Sequence, residues 1–60
     1  MKTVLSYENN FYPYNGQFIP NGGDNLYLDY EIDDARFFIV KFRTIDLSNS
    51  QIILSIVKLS

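Results

Sequence analysis

Apolar and polar residues alternate strictly in one part of the chain and then stop alternating. From Leu26 to Ile32 every second residue is apolar, which is typical of a strand with one buried face. The next run, 35–45, has apolar side chains at both odd and even positions, and so does 51–59. β-Branched residues dominate that last run, so we expect a strand there rather than a short helix. The pattern predicts an antiparallel meander of strands 25–32, 35–45 and 51–59.

The register of the first two strands follows from the turn between them. Asp33-Asp34 can form a two-residue hairpin loop, although aspartate at both positions is poorer than Asn-Gly. This loop places Glu31 opposite Arg36, an oppositely charged cross-strand pair worth about 0.2–1 kcal/mol. One face of the hairpin then carries no charge, and we predict it to be the core: Ile32, Ala35, Tyr30, Phe37, Leu28 and Ile39.

The N-terminal third is expected to supply short strands that cover this core. Residues 2–7 predict a first strand, and 8–10 carry a turn signal. Together with the meander, this predicts a single all-β domain over residues 1–60. Its fold would be a small antiparallel sheet or a partly closed barrel of four or five strands.

A further hairpin is predicted at Asn15-Gly16, the strongest hairpin dipeptide in the chain. It would fold 11–14 back onto 17–20. Both prolines and all three glycines fall within 11–25, so any strand there is short or lies at an edge. We therefore expect a hairpin-rich cover rather than long central strands.

A second apolar face is left without an obvious cover. A domain of this size buries only about 60% of the surface that its unfolded chain exposes, and a chain without cysteine adds no disulfide. Either the N-terminal strands close over this face, or it is an interface with an identical or a foreign partner. The residues predicted to form it are Phe38, Val40, Phe42, Leu54 and Ile56.

Composition argues against several classes of chemistry. The chain has no cysteine and no histidine, which disfavours zinc, copper and iron–sulfur sites and nucleophilic catalysis of the Ser-His or Cys-His type. Gly22-Gly23 is not followed by the Lys-Ser/Thr of a phosphate loop. We expect no enzymatic activity, no metal and no cofactor.

The charge balance limits the classes of partner that we expect. Seven acidic and five basic residues give a net charge of −2, and the basic residues are not clustered, so direct nucleic-acid binding is not expected. The N-terminal residues do not resemble a signal peptide, and no apolar run approaches the roughly 20 residues that span a membrane. The expected location is the cytoplasm, in the producing cell or in a host cell.

Two groups of polar or aromatic residues remain as candidates for binding. Asp29, Glu31 and Asp33 are typical of a solvated strand face and its turn, but they could also steer a partner or imitate a phosphate backbone. Tyr12 and Tyr14 could pack over the sheet or serve as exposed anchors. With Asn15, the same tyrosines could stack on sugar rings.

The sequence predicts a small non-enzymatic protein-binding module that acts by association. It would inhibit or regulate a larger host protein, including one that handles nucleic acid. Two alternatives stay open: a self-assembling structural subunit, such as a phage or complex component, and a carbohydrate-binding module. The residues predicted to bind protein are Phe38, Val40, Phe42 and Ile56 as apolar anchors, Asp29, Glu31 and Asp33 as steering groups, and Tyr12 and Tyr14.

Overall fold

Five strands make up the fold of the computed structural model, which describes residues 1–59. No helix occurs within those residues, so the β-branched run at the C-terminal end forms a strand, as predicted. The all-β fold class is confirmed. The strands are β1 (Lys2–Tyr7), β2 (Asn10–Pro13), β3 (Asn25–Ile32), β4 (Ala35–Asp46) and β5 (Gln51–Lys58).

One mixed sheet joins all five strands in the order β2-β1-β5-β4-β3 and curls into a half-barrel. The meander β3-β4-β5 is antiparallel, as predicted, and β1 pairs antiparallel with β2. β1 and β5, however, run parallel to each other. The sheet is therefore a partly closed barrel of the predicted size, with one parallel pair at its centre.

Both tight hairpin turns have positive φ angles at their two central residues. The values are 47° and 68° at Glu8 and Asn9, and 54° and 61° at Asp33 and Asp34. Such turns match the right-handed twist of the flanking strands, and asparagine and aspartate tolerate the left-handed backbone better than most residues. The predicted turn at Asp33-Asp34 is thus present, and the first hairpin of the chain is β1–β2.

The hairpin predicted at Asn15-Gly16 is wrong, because no strand forms between Tyr14 and Asp24. This segment is a loop closed by its own side chains. The Tyr14 hydroxyl donates a hydrogen bond to the carbonyl oxygen of Phe18 at 2.5 Å. The tyrosine ring lies so close to Gly16 that a β-carbon there would overlap the phenol oxygen. The glycine is thus used for close packing under a ring rather than for a hairpin turn.

The predicted register between β3 and β4 holds only next to the turn. Ile32 pairs with Ala35 as expected, but the next pair is Tyr27 with Phe37, which is three positions out of the predicted register. In between, β3 contributes residues 28–31 where β4 contributes only Arg36. This irregularity changes which β4 side chains face inward, so the predicted core is right for Leu28 and Ile32, which are buried, and wrong for Phe37, which is 55% exposed.

The core also contains residues of the second apolar face, for which the sequence showed no obvious cover. Phe38, Val40 and Leu54 are completely buried, and Ile56 is 4% exposed. Of the two possibilities left open for this face, closure by the other strands is therefore the one that forms, and Phe38, Val40 and Ile56 are buried within the chain. The curl of the sheet brings their cover from the other strands: Leu5, Tyr7, Leu26, Leu28 and Ile32.

A bulge at Lys41 separates Phe42 from the other members of that predicted face. Val40 pairs with Ile56, and Phe42 pairs with the next residue of β5, Ser55, so Lys41 is the extra residue. Phe42 therefore points away from the core, and 57% of its surface is exposed. Of the four apolar anchors predicted from the sequence, it alone remains accessible.

Candidate functional site

The convex side of the half-barrel carries a row of exposed apolar side chains. Residues that pair across neighbouring strands point to the same side of a sheet. Ile39 pairs with Val57, and Tyr27 pairs with Phe37, all on the side opposite the buried Phe38. We call this surface the outer face and define it by seven residues: Phe11, Tyr27, Phe37, Ile39, Phe42, Ile53 and Val57.

Exposure on the outer face is greatest at its aromatic residues. Phe11, Tyr27, Phe37 and Phe42 are each more than half exposed, and Val57 is 42% exposed. Contiguous apolar patches of more than a few hundred square ångströms are uncommon on monomers and usually mark interaction sites. An apolar surface without cover, as inferred from the sequence, is therefore present, but it lies on the opposite face of β4.

Two aromatic rings on the outer face pack against each other. The rings of Tyr27 and Phe37 lie 4.5 Å apart between centroids and are tilted by 43°. Contact between the two rings restricts both side chains before any partner binds, which reduces the entropy lost on association. Large aromatic groups of this kind are typical anchors of protein interfaces.

The residues predicted to bind protein did not include Tyr27, Phe37 or Val57, because the prediction assumed regular pairing along β4. The three-residue irregularity in β3 and the bulge at Lys41 both change the phase of the pattern. Only the lysine carried a signal, since a charged residue interrupts an apolar run there. The pairing that buries Phe38 was not visible in the sequence.

The predicted steering acids are largely matched by cations. The Glu31 carboxylate lies 3.8 Å from the Arg36 guanidinium, so the predicted contact between opposite charges is present, although the two residues are not partners in the register of the sheet. Asp33 lies 3.0 Å from the Lys58 ammonium. Asp29 is exposed and has no ion pair among residues 1–59. The acidic hairpin is therefore a mixed-charge rim rather than a continuous anionic stripe.

Asp33 is also the centre of a contact that joins three parts of the fold. Its carboxylate accepts a hydrogen bond from the Tyr7 hydroxyl at 3.0 Å, in addition to the contact with Lys58. Hydrogen bonds from Lys58 and then Tyr7 lower the pKa of Asp33. Burial, followed by the hydrogen bond to Asp33, raises the pKa of Tyr7 to about 12. Asp33 thus links β1, the β3–β4 turn and the end of β5, which is a structural role.

The predicted tyrosines occupy a different part of the surface. Tyr12 is half-buried and packs against the core. Tyr14 and Asn15 line a groove of about 520 Å³ between the loop after β2 and the free edge of β3. Asp29 and Tyr30 line the opposite wall, and the Tyr30 hydroxyl donates a hydrogen bond to the Pro13 carbonyl at 2.5 Å. The groove brings Tyr14, Asn15 and Asp29 together, and Tyr12 does not line it.

Two searches of the structure for other sites gave negative results. Among the residues described, no three side chains of the metal-ligating types histidine, cysteine, aspartate or glutamate gather into a cluster that could hold an ion. The same part of the chain has no helix that is long and apolar enough to cross a membrane.

Comparison of the chain with models of known protein families, with curated proteins and with solved structures found no match.

Proposed function

We propose that the protein is a small non-enzymatic protein-binding module that acts by association, as an inhibitor or regulator of a larger protein. The observation that carries this proposal is the outer face. Its aromatic residues remain more than half exposed although the chain has a closed core elsewhere. Covering these side chains would release water from apolar surface, which is the main favourable contribution to most protein associations.

The chemistry of the outer face determines how a partner would bind. Phe37 and Phe42 would insert into apolar pockets, and the ring of Tyr27 would hold Phe37 in position. Charged groups at the rim, such as Glu31 and Arg36, would stay hydrated and contribute to specificity more than to affinity. Asp29 adds an exposed negative charge that would attract a basic group of the partner, such as a protein that handles nucleic acid carries.

Affinity capture from a cell lysate tests the proposal. The bait is the wild-type protein, and the test variant carries Phe37→Ser and Phe42→Ser. The matched control is Leu47→Ser, because Leu47 is 77% exposed but lies in the β4–β5 turn, outside the outer face. Wild type and control should retain the same protein, and the double variant should lose it. Equal retention by all three, or no specific protein retained by wild type, would refute the proposal.

Sedimentation of the pure protein over a concentration series separates a foreign partner from self-assembly. A regulator of another protein should remain monomeric through the micromolar range. A concentration-dependent oligomer that the Phe37→Ser, Phe42→Ser variant abolishes would assign the outer face to a structural subunit instead.

Carbohydrate binding is a second candidate, which the groove lined by Tyr14, Asn15 and Asp29 favours. An aromatic ring beside amide and carboxylate groups is a suitable arrangement for a sugar hydroxyl and the apolar face of its ring. Glycan-array binding should then be lost in Asn15→Ala and retained in Tyr12→Phe, because Tyr12 lies outside the groove. No binding to any glycan, or equal loss in both variants, would eliminate this candidate.

A further inference from the structure

The second half of β4 has a free edge. Pairing between β3 and β4 ends at Asn25 and Ile39, and the loop before β3 extends it by one residue of β4. The Gly23 amide donates a hydrogen bond to the Val40 carbonyl at 2.6 Å, and the Val40 amide donates one to the Asp24 carbonyl at 2.9 Å. Beyond this point, no strand within residues 1–59 pairs with 42–46 on that side, although β5 pairs with them on the other. Alternate backbone amide and carbonyl groups of this stretch therefore have no partner strand on that side, although Gly22 of the loop lies against the backbone of Lys41 and Phe42 at its start.

The free edge is basic. Lys41 and Arg43 are both exposed, and neither forms an ion pair in the described part of the chain. The acid nearest in sequence, Asp46, is engaged by the side-chain amides of Asn49 and Gln51 at 2.8 and 3.2 Å. Two copies pairing through this edge would bring their four cations together, which disfavours a second copy of the chain as the occupant.

The edge is also continuous with the outer face. Phe42 belongs to both, since it lies on the free part of β4 and is 57% exposed. On the opposite side of the strand, Ile45 is 59% exposed. A strand added here would extend the sheet, and its apolar side chains would cover Phe42 or Ile45 while its carboxylates approached Lys41 or Arg43.

We infer that residues 42–46 of β4 are a strand-addition site for an extended acidic segment of the partner protein. The inference rests on the proposed function and names the mode and chemistry of its recognition. Main-chain hydrogen bonds to the free edge would supply affinity, and the two cations together with Phe42 would select the sequence. The free edge spans about 16 Å, since each strand residue advances about 3.3 Å, so five residues of the partner would cover it.

The test uses a defined peptide in place of the partner. The probe is an eight-residue peptide of alternating glutamate and valine with both ends blocked, titrated into the isotope-labelled protein and followed by NMR. Binding should shift the amide signals of 42–46, slow their hydrogen exchange and weaken as salt is added. The same peptide with every second amide methylated should lose binding, since it cannot donate along one edge. A lysine–valine peptide should not bind.

Charge-reversal variants test whether Lys41 and Arg43 are required for peptide binding. Replacing Lys41→Glu and Arg43→Glu should weaken peptide binding at least about fivefold, because two favourable charge pairs become repulsive. Lys2→Glu changes one exposed cation on β1 and should leave binding unchanged. The circular dichroism spectrum of each variant confirms that it is folded.

Several results would overturn the inference. They are no binding of the glutamate–valine peptide at millimolar concentration, equal binding of the methylated peptide, equal binding of the lysine–valine peptide, or amide shifts confined to another part of the sheet. Pairing of two copies without peptide, abolished by Arg43→Pro, would identify a second copy as the occupant instead. If the peptide fails but the Phe37→Ser, Phe42→Ser variant still loses its captured protein, only the strand-addition mode is wrong and the proposed function stands.

Discussion

Truncation of Phe38 tests which face of β4 is the core. Phe38 is completely buried, and its ring meets that of Tyr7 edge-on at 5.5 Å between centroids. Phe37, one residue earlier, is 55% exposed and contacts only the ring of Tyr27 among the aromatic residues described. The two residues have the same chemistry and adjacent positions, so each is the matched control for the other.

The expected costs differ several-fold. Removing a buried phenylalanine to alanine typically costs about 3–5 kcal/mol, and the edge-on contact with Tyr7 adds about 0.5–1.5 kcal/mol. Complete burial of a phenylalanine is worth about 1.5–3 kcal/mol, so Phe37→Ala, with about half of the side chain buried, should cost about 1 kcal/mol. At about 0.05–0.15 kcal/mol per residue, the whole domain has roughly 3–9 kcal/mol of stability. Phe38→Ala should therefore remove most or all of it.

Urea unfolding followed by circular dichroism measures both costs. Because Phe38→Ala could leave no folded protein, Phe38→Leu serves as the milder variant, with an expected cost of about 1–1.5 kcal/mol. The corresponding Phe37→Leu should cost less than about 0.5 kcal/mol. A Phe37 variant that is destabilised as much as the matching Phe38 variant, or more, would refute the face assignment and with it the outer face.

Three further predictions follow from individual contacts. The fold lowers the pKa of Asp33, so this residue contributes fully to stability above its unfolded pKa of about 3.9 and ceases to contribute as the pH falls through its folded pKa. In that pH range the stability of Asp33→Asn should therefore depend less on pH than the stability of wild type. The contribution of Tyr7 has the opposite sign, being complete below about pH 10 and lost as the pH rises through about 12, so Tyr7→Phe should reduce the loss of stability measured between these values. Gly16→Ala should displace the Tyr14 ring, break its hydrogen bond to the Phe18 carbonyl and cost about 1 kcal/mol in urea unfolding, and an unchanged midpoint would contradict the packing described for this loop.

Local patterns in the sequence predicted the strands well. They did not predict which side chains are buried, because burial depends on how the strands pair. The bounds of β3, β4 and β5 follow from alternation, β-branched residues and the Asp33-Asp34 turn, all of which are local signals. The face assignment failed because it was extrapolated from that turn along six residues of each strand, whereas the pairing shifts by three positions before Phe37. Local chemistry does not encode such a shift, which is favoured because it lets Leu26 lie opposite the buried Phe38.

The candidate site was predicted only in outline for the same reason. The excess of apolar residues on β4 predicted an apolar face without cover, but the residues named for that face are buried except Phe42, which the bulge at Lys41 turns to the outer face. The other residues of the outer face were assigned to the opposite side because the prediction assumed regular pairing. Lys41 does interrupt the apolar run, but a lysine does not by itself indicate an extra residue in the strand. The turn signal at 8–10 was correct, whereas the hairpin predicted at Asn15-Gly16 does not form, since a favourable turn dipeptide does not determine which strands find partners.

The parallel pairing of β1 with β5 has a consequence for how the protein is made. β5 is the last of the five strands to leave the ribosome, yet it is the middle strand of the sheet. Until it emerges, the nascent chain can form only two separate hairpins, β1–β2 and β3–β4, and isolated two-stranded hairpins are marginally stable at best in water. The two halves of the sheet should therefore join only after β5 is available, because β5 is the strand that connects them.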